Sequence, residues 1–251
     1  MIINKENLTT YKNLFFQSTN KLEIIKYVIK RLAGINAKFD KDFYVKSEGH
    51  LMNCGKIMEN CKNATINFEK EVTKAIIRCA TNRETCIDVG ANIGKHTLTM
   101  SKICKKVIAI EPFPENFRLL KQNTSSLKNV ICYNLAASNK AGIISLNVNE
   151  LHPARVSAEY PWERQIRVRA DSLNNLLKKE KKVSFLKIDV EGHEYEVICG
   201  GIKIIKRDKP DILFEVWNEA KLKKIKDVLN PLGYSFKQVD CYNNFLAQAK
   251  K

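Results

Sequence analysis

The chain has 251 residues, of which 44% are apolar, and it carries a formal net charge of +16. This length can bury a core without disulfide or metal cross-links, and the ten glycines and six prolines exclude collagen-like and low-complexity classes. No apolar run approaches the ~20 residues of a membrane-spanning helix, and the first residues do not resemble a secretory signal, so neither feature is predicted.

The positive charge is spread along the chain rather than gathered in a basic tail. Such a surface suits an anionic partner, such as nucleic acid, a phosphorylated substrate, an acidic glycan or a membrane surface. A generally lysine-rich composition without such a partner gives the same excess, so both interpretations stay open at this point. The eight cysteines form no C-x-x-C pair and no zinc pattern. We therefore expect free thiols, a reducing, cytoplasmic compartment and no metal site.

Residues 1–67 differ from the rest of the chain and predict an N-terminal helical extension. Five apolar residues recur at helical spacing between positions 22 and 32, with basic residues between them, and Gly34 is expected to end this helix. We expect the helix to pack on the main domain, with an oligomer contact or a lid on the substrate side as alternatives. Residues 37–66 show little periodicity and are predicted to be irregular.

Residues 68–251 predict a single α/β domain. After a helix over 69–80, strands that alternate with helices are predicted over 85–89, 106–110, 130–134, 184–189 and 211–216. Short accessory strands are predicted over 143–148 and 166–169. This alternation is typical of a parallel sheet with helices on both faces.

The remaining predicted elements complete this domain. Asp171 is expected to cap a helix that extends to Glu180, and one helix is predicted over 195–206. The last two strands, over 235–239 and 245–249, have no helix between them, which predicts an antiparallel hairpin at one edge of the sheet.

The most specific motif is D-V-G-A-N-I-G, from Asp88 to Gly94, which follows a strand and opens a helix. Gly90 and Gly94 allow a tight turn and a close approach of the backbone to a ligand. The segment is neither G-x-G-x-x-G nor a P-loop, so a pyrophosphate clamp is not indicated. Glu111 ends the next strand about 20 residues later, where an acidic residue binds ribose hydroxyls. A ribose without a pyrophosphate fits S-adenosylmethionine better than NAD.

A second acidic motif, F-L-K-I-D-V-E-G-H-E, places Asp189, Glu191 and Glu194 within six residues at a strand end. Carboxylates this close repel each other unless they bind cations, hydrogen-bond donors or a proton. Glu194 suits the start of a helix, whereas Asp189 and Glu191 are predicted to bind acceptor hydroxyls, to act as bases or to bind a divalent cation. His96 is a third candidate base, because histidine titrates near neutral pH. Further candidate bases are His152 and His193.

Six motifs in order, D-V-G-A-N-I-G, I-E-P-F-P-E-N-F, N-L-A-A-S, V-R-A-D-S-L-N-N-L-L, L-K-I-D-V-E-G-H-E and I-L-F-E, resemble the FkbM-type S-adenosylmethionine-dependent methyltransferases over about residues 68–217. The resemblance implies a Rossmann-like class I methyltransferase fold with a mostly parallel seven-stranded sheet. It implies a cofactor site made of Asp88, Gly90, Asn92, Gly94, Glu111, Ala136, Ala137 and Asp189. In this site Glu111 is the ribose ligand, the two alanines lie beside the adenine, and Asp189 lies near the methionine end and the substrate.

By the same resemblance, the reaction is O-methylation of a hydroxyl on a sugar, glycan or glycosylated metabolite. The alternative is an RNA ribose methyltransferase, whose Lys-Asp-Lys-Glu tetrad could come from Lys95, Asp189, a further lysine and Glu215, and whose substrate suits the positive charge. A non-catalytic binding protein on the same fold is a third possibility. The presence of all the acidic motif residues is evidence against it. Residues 1–67 and 149–165 contain no motif, and acceptor specificity is assigned to them.

Overall fold

The computed structural model of the chain describes residues 5–32, 39, 41–47, 49–65, 68–149, 156–159, 161 and 164–249. The predicted helix stop at Gly34 and the candidate base His152 lie outside these ranges. Within the described ranges, every helix is too short or too polar to cross a bilayer.

Ten α-helices are found in the described ranges: α1 (Lys5–Gln17), α2 (Lys21–Leu32), α3 (Met58–Ala64), α4 (Lys70–Ala80), α5 (Lys95–Ser101), α6 (Pro114–Asn123), α7 (Leu173–Leu176), α8 (Glu194–Gly200), α9 (Ile202–Asp208) and α10 (Glu219–Leu229). The strands of the same ranges are β1 (Tyr44–Ser47), β2 (His50–Asn53), β3 (Arg83–Val89), β4 (Cys104–Ile110), β5 (Val130–Tyr133), β6 (Ala136–Ser138), β7 (Gly142–Val148), β8 (Val156–Ser157), β9 (Arg164–Ser172), β10 (Val183–Ile188), β11 (Asp211–Glu215), β12 (Tyr234–Gln238) and β13 (Asn244–Ala249).

The central sheet has seven strands in the order β12-β13-β11-β10-β3-β4-β5. The strands from β11 to β5 pair in parallel, whereas β13 is antiparallel to both β11 and β12. This arrangement confirms the predicted class I methyltransferase architecture with its antiparallel edge hairpin. The chain builds β4 and β5 on one side of β3 and later adds β10 and β11 on the other side. Ligands of open α/β sheets bind beyond the carboxyl ends of the strands at such a switch point.

Apolar side chains alternate between the two faces of the central strands. Ile87 and Leu186 belong to a core cluster that α8, α9 and α10 cover. Their neighbours Cys86 and Phe185 point to the opposite face and belong to a cluster with α4 and α5. Because helices cover both faces, the central strands are apolar almost throughout, and this is why they stand out in the sequence.

A separate four-stranded sheet has the order β6-β9-β7-β8. Its three-residue strand β6 directly follows β5 in the chain and pairs in parallel with β9, with Ala136 opposite Ala170. The two predicted accessory strands are therefore part of a second sheet, in which β9 is longer than predicted and neither β6 nor β8 was predicted. Side chains of β6, β7 and β8 reach the large cleft described below.

The N-terminal segment packs on the α/β domain through a shared apolar core. Ile24 and Tyr27 of α2 lie in one cluster with Leu98 and Leu119 of the main domain. This is the packing predicted for the α2 helix, although the domain boundary at residue 67 stays a prediction. The opposite face of α2 leaves three large apolar side chains exposed, namely Leu22, Ile25 and Ile29.

The prediction that residues 37–66 are irregular is wrong. Strands β1 and β2 form an antiparallel hairpin in this segment, and α3 follows it. The extension is therefore helical with a hairpin. Each strand has only four residues, so the alternation of buried and exposed side chains is too short to give a clear signal in the sequence.

Two predicted helices in the main domain also differ from the structure. Asp171 pairs with Ala137 inside β9, and Ser172 caps a helix that ends at Leu176 rather than at residue 180. The helix predicted over 195–206 is divided into α8 and α9 at Gly201. The preceding Gly200 packs so closely on β6 that an added Cβ would lie 2.0 Å from the Ser138 carbonyl oxygen.

Candidate active site

A cleft of about 1240 Å³ opens beyond the carboxyl ends of β3, β4, β10 and β11. Val89, Ile110 and Glu215, at the ends of three of these strands, line it. A typical pocket for one small ligand has roughly 300–1,000 Å³, so the cleft has room for a cofactor and an acceptor together.

The glycine-rich turn between β3 and α5 forms the floor of the cleft. Gly90 has a φ of +77°, and an added Cβ would lie 1.7 Å from the backbone oxygen of Asp189. The amides of Gly90 and Ala91 both donate to the Ile110 carbonyl, at 3.0 and 3.1 Å. The turn is thus held between the ends of β4 and β10, and only glycine fits at position 90. Gly90 and Asn92, which were both predicted to bind the cofactor, line the cleft.

Glu111 follows β4 and faces the same turn. Its carboxylate accepts hydrogen bonds from the backbone amides of Asn92 (2.8 Å) and Phe113 (2.9 Å). Burial raises the pKa of Glu111 to about 7, although these two amides act in the opposite direction. Each carboxylate oxygen has a second lone pair, so Glu111 can still accept hydrogen bonds from ligand hydroxyls in the cleft.

Asp88 and Gly94, both predicted to bind the cofactor, lie behind the turn and do not line the described cleft. Thr97 Oγ1 donates to Asp88 Oδ2 at 2.6 Å, and the Lys187 ammonium lies 3.8 Å from Asp88 Oδ1. Asp88 therefore holds the start of α5 and the end of β10 together. Gly94, with φ +98°, begins α5 so close to Leu120 that an added Cβ would lie 2.8 Å from its Cδ1 atom.

The three candidate bases, Asp189, Glu191 and His96, all line the cleft. The Lys187 ammonium donates to Asp189 Oδ2 at 3.0 Å, as expected for two residues on the same face of a strand. Glu191 lies in the loop after β10 with a φ of +51°. The other two cleft residues among the predicted cofactor ligands, Ala136 and Ala137, lie in β6 on the far wall.

Two further carboxylates, Glu69 and Glu215, meet Asp189 in the cleft. Carboxylate oxygens of the three residues lie within 4.8 Å of one another. Burial, together with the charges of Asp189 and Glu69, raises the pKa of Glu215 to about 10, so this side chain is protonated at neutral pH. Glu215 can therefore donate a hydrogen bond beside an ionised neighbour, in the manner of a carboxylate dyad.

Glu69 was not among the sequence candidates. It precedes α4 with a φ of +48°, and its Oε2 atom lies 2.7 Å from His96 Nε2. Burial raises the pKa of Glu69, but His96, Lys187 and Lys95 outweigh that effect and hold it well below the ordinary value. His96 is therefore paired with a carboxylate rather than isolated.

The cleft is acidic although the chain as a whole is basic. Of the described residues that line it, seven are aspartates or glutamates, of which Glu215 is protonated, four are lysines, and none is an arginine. One of the four, Lys95, donates to the Phe68 carbonyl and lies over the Phe68 ring. A cleft with this charge favours a cationic or hydroxyl-rich ligand over a polyanion.

Two groups of side chains in the described residues could hold a metal ion, whereas a divalent cation was predicted only as an alternative role of Asp189 and Glu191. One is the carboxylate group of Glu69, Asp189 and Glu215, and the other is made of Glu159, His193 and Glu196. In the first group, the Lys187 ammonium at 3.0 Å from Asp189 already balances part of the negative charge. In the second, His193 also contacts Ser138 at 3.0 Å.

Glu194 positions the loop that carries Glu191. It lies in the first turn of α8, as predicted, but it is buried, and its Oε1 atom accepts from the amides of Val190 (3.1 Å) and Gly192 (3.0 Å). Burial raises the pKa of Glu194 to about 7 despite these hydrogen bonds.

We expect Glu194→Gln to weaken the pH dependence of folding. Between its ordinary pKa of 4.5 and the folded-state pKa of about 7, Glu194 is ionised in the unfolded chain and protonated in the folded one. The contribution of Glu194 to the free energy of unfolding is therefore complete at low pH, and it is lost as pH rises through this window. Melting temperatures between pH 4 and 8 should fall less steeply in Glu194→Gln than in the wild type. Glu219→Gln, an exposed glutamate in the first turn of α10, is the control and should keep the wild-type slope; equal slopes for all three proteins would contradict the assignment.

The strand order and the position of the cleft define a class I methyltransferase fold. Residues 88–236 match the Methyltransferase FkbM domain family, and the chain belongs to that family. It is 30% identical over 135 residues to the hexuronic acid methyltransferase AglP of Haloferax volcanii. That match covers 53% of this chain and 56% of the relative, so the chain spans about half the length of the curated relative it matches.

Solved structures with a similar fold have lower sequence identity to this chain. The methyltransferase FkbM from Methylobacillus flagellatus KT is 16% identical, with a TM-score of 0.49 over 67% of this chain and 44% of that one. TYW2 of M. jannaschii in complex with AdoMet is 15% identical, with a TM-score of 0.48 over 85% and 86%. Because both scores are below 0.5, the fold assignment depends on the strand order and the family match.

Proposed function

We propose that the chain is an S-adenosylmethionine-dependent O-methyltransferase that acts on a hydroxyl of a sugar, glycan or glycosylated metabolite. The proposal depends on the cleft at the switch point of the methyltransferase sheet. This cleft has room for two ligands, and the charged residues that line it are mainly acidic although the chain as a whole is basic. The name of the relative from Haloferax volcanii, a hexuronic acid methyltransferase, supports a carbohydrate acceptor. The reducing, cytoplasmic setting expected from the cysteine pattern is part of the same proposal.

The residues of the cleft fit S-adenosylmethionine. Gly90 allows the turn to pack against the end of β10 at the floor of the cleft, Glu111 offers carboxylate oxygens to ribose hydroxyls, and Ala136 and Ala137 give an apolar wall for the adenine. The acidic lining favours a positively charged cofactor. When bound, the cofactor would supply a methyl group on a sulfonium, which passes to the acceptor oxygen as the C–S bond breaks and the sulfur leaves as a thioether. Asp88, Asn92 and Gly94 belong to the proposal as the residues that shape this turn.

In the proposed reaction, the carboxylates at the end of β10 hold the acceptor hydroxyl and accept its proton. A sugar hydroxyl is a weak nucleophile, and a positioned base accelerates such a step by about 10²–10⁴-fold. Asp189 is fixed by Lys187, and Glu215 beside it is protonated and can donate to the acceptor. Glu191 and the His96–Glu69 pair are the other proposed bases.

An RNA ribose methyltransferase is the alternative, because the cluster contains Asp189, Glu215 and Lys187, three of the residue types of the Lys-Asp-Lys-Glu tetrad. RNA binding depends on lysines and arginines that neutralise phosphates, and the acidic lining of the cleft favours the sugar acceptor.

Labelled-methyl transfer to cell extracts tests this proposal. The wild-type chain is incubated with methyl-labelled S-adenosylmethionine and extract, and the products are separated into polysaccharide, small molecules and RNA. We expect label in saccharide-containing fractions that survives nuclease and disappears with Asp189→Asn. Label that is found only in nuclease-sensitive material would overturn the sugar acceptor in favour of RNA.

A further inference from the structure

Two large aromatic side chains border the cleft on the side away from the glycine-rich turn. Trp217 follows β11 and is 54% exposed, and Tyr242 precedes β13 and is 61% exposed. Both line the cleft. Single exposed apolar side chains are common on protein surfaces. The two residues therefore indicate a site only if they lie close together at the cleft.

The edge of the central sheet brings together the two segments that carry Trp217 and Tyr242. Strands β11 and β13 pair in antiparallel register up to Glu215 opposite Asn244. The pairing continues beyond the strands, because the amide of Val216 donates to the Asn243 carbonyl at 3.0 Å. Trp217 and Tyr242 are the residues next to this hydrogen-bonded pair in their two segments. Asn243 has a φ of +60°, so regular strand pairing ends there, but the hydrogen bond still brings the two segments that carry the aromatic residues to one edge of the cleft.

The turn that carries Tyr242 is fixed by Asp240. Its carboxylate accepts from the amides of Tyr242 (2.9 Å) and Asn244 (3.2 Å) and from the Asn244 side chain (3.0 Å). The amide of Val239 donates to the Asn244 carbonyl at 2.8 Å and closes the turn. The backbone position of Tyr242 is therefore fixed before any ligand binds, which reduces the entropy lost on binding.

We propose that Trp217 and Tyr242 form a stacking platform for a sugar ring of the acceptor. The inference rests on the proposed function and adds the subsite that selects the acceptor. A sugar ring has apolar C–H faces and a polar rim. Its faces suit aromatic rings, whose faces carry negative charge density, while its hydroxyls suit carboxylates such as Glu215 in the same cleft.

The position of the platform separates it from the cofactor site. Strand β11 is two strands from β3, and β13 is three strands away. At ~4.8 Å between neighbouring strands, the platform lies on the order of 10 Å or more from the glycine-rich turn. Asp189 lies at the end of β10, between the platform and the turn, and Glu215 lies at the end of β11, next to the platform. A ring on the platform can thus present a hydroxyl to these carboxylates. This subsite lies outside residues 1–67 and 149–165, to which the sequence assigned specificity.

Steady-state methyl transfer to methyl glucuronide and to methyl glucoside tests the platform in four variants. For Trp217→Ala and Tyr242→Ala we expect the acceptor KM to rise by about tenfold or more, with kcat within about threefold of the wild type. Trp217→Phe should restore most of the affinity because it keeps an aromatic face. Phe16→Ala removes an aromatic side chain that is 70% exposed in α1, and it should leave KM and kcat unchanged. An unchanged acceptor KM in both alanine variants of an active enzyme would overturn the platform and leave the proposed function intact.

If no methyl transfer is seen, a fluorescence titration tests the aromatic platform independently of the sugar-methylation proposal. The chain has two tryptophans, so Trp162→Phe leaves Trp217 as the only one. Saturable quenching by either glycoside, absent with Tyr242→Ala, supports the platform even when the sugar-methylation proposal fails. Saturation by uridine but by neither glycoside would overturn the sugar platform and indicate a stacked base. No response to any of the three probes would also overturn it.

Discussion

Asp189→Asn is expected to lower turnover by about 10²–10⁴-fold while the chain stays folded. The substitution removes the negative charge that accepts the acceptor proton, but it keeps the shape of the side chain. Lys187 retains Asp88 as a charged neighbour at 3.8 Å, so its buried ammonium is not left without a partner. Turnover and melting temperature should be measured on the same preparation.

Glu191→Gln should also lower turnover, with much less change in cofactor affinity, because Glu191 lies beyond the strand that holds the turn. Asp227→Asn is the matched control, since Asp227 is an exposed acid in α10 and should behave as the wild type. If Asp189 and Glu191 only supported the loop before α8, the loss would be about 1 kcal/mol of stability with turnover nearly intact, and the catalytic assignment would be wrong.

Gly90→Ala is expected to abolish cofactor binding and to lower the melting temperature strongly. A left-handed backbone costs any alanine roughly 1–2 kcal/mol, but the Cβ at position 90 would also lie 1.7 Å from the Asp189 backbone oxygen. The turn and the end of β10 must therefore move apart, and this displaces Asp189, the proposed catalytic carboxylate, together with the floor of the proposed cofactor site.

Gly233→Ala separates the two effects. Gly233 has a φ of +80°, close to the +77° of Gly90, yet an added Cβ meets no atom within 4 Å. This control should therefore show the backbone strain alone, with S-adenosylmethionine binding and turnover as in the wild type. Equal losses of melting temperature and normal cofactor binding in both variants would show that the contact at Gly90 is unimportant.

The sequence predicts the central sheet and the turn well because both depend on local patterns. Strands such as Val183–Ile188 are buried throughout, and the turn needs glycine at position 90 for a steric reason. Asp189 and Lys187 were placed on one face by the two-residue period of a strand alone. The predicted class of fold follows from such segments and from their alternation with helices.

Features that depend on distant pairings could not be predicted in this way. Glu69 meets His96 only because α4 packs beside α5, and no local pattern marks it. The three residues of β6 form a strand only because β9 offers a partner, with Ala136 opposite Ala170. Likewise, Trp217 and Tyr242 reach the same edge of the cleft only because β11 pairs with β13, and this pairing is set by the whole sheet.

Calorimetric titration of the folded chain with S-adenosylmethionine tests the central claim, that the cleft at the end of β3 is a methyltransferase cofactor site. We expect a single site with a dissociation constant in the micromolar range, about −8 kcal/mol. Binding should be weaker in Glu111→Ala and Asp88→Ala, and unchanged in Asp227→Asn. A wild-type chain that shows a cooperative melting transition but releases no heat of binding with S-adenosylmethionine would contradict the account.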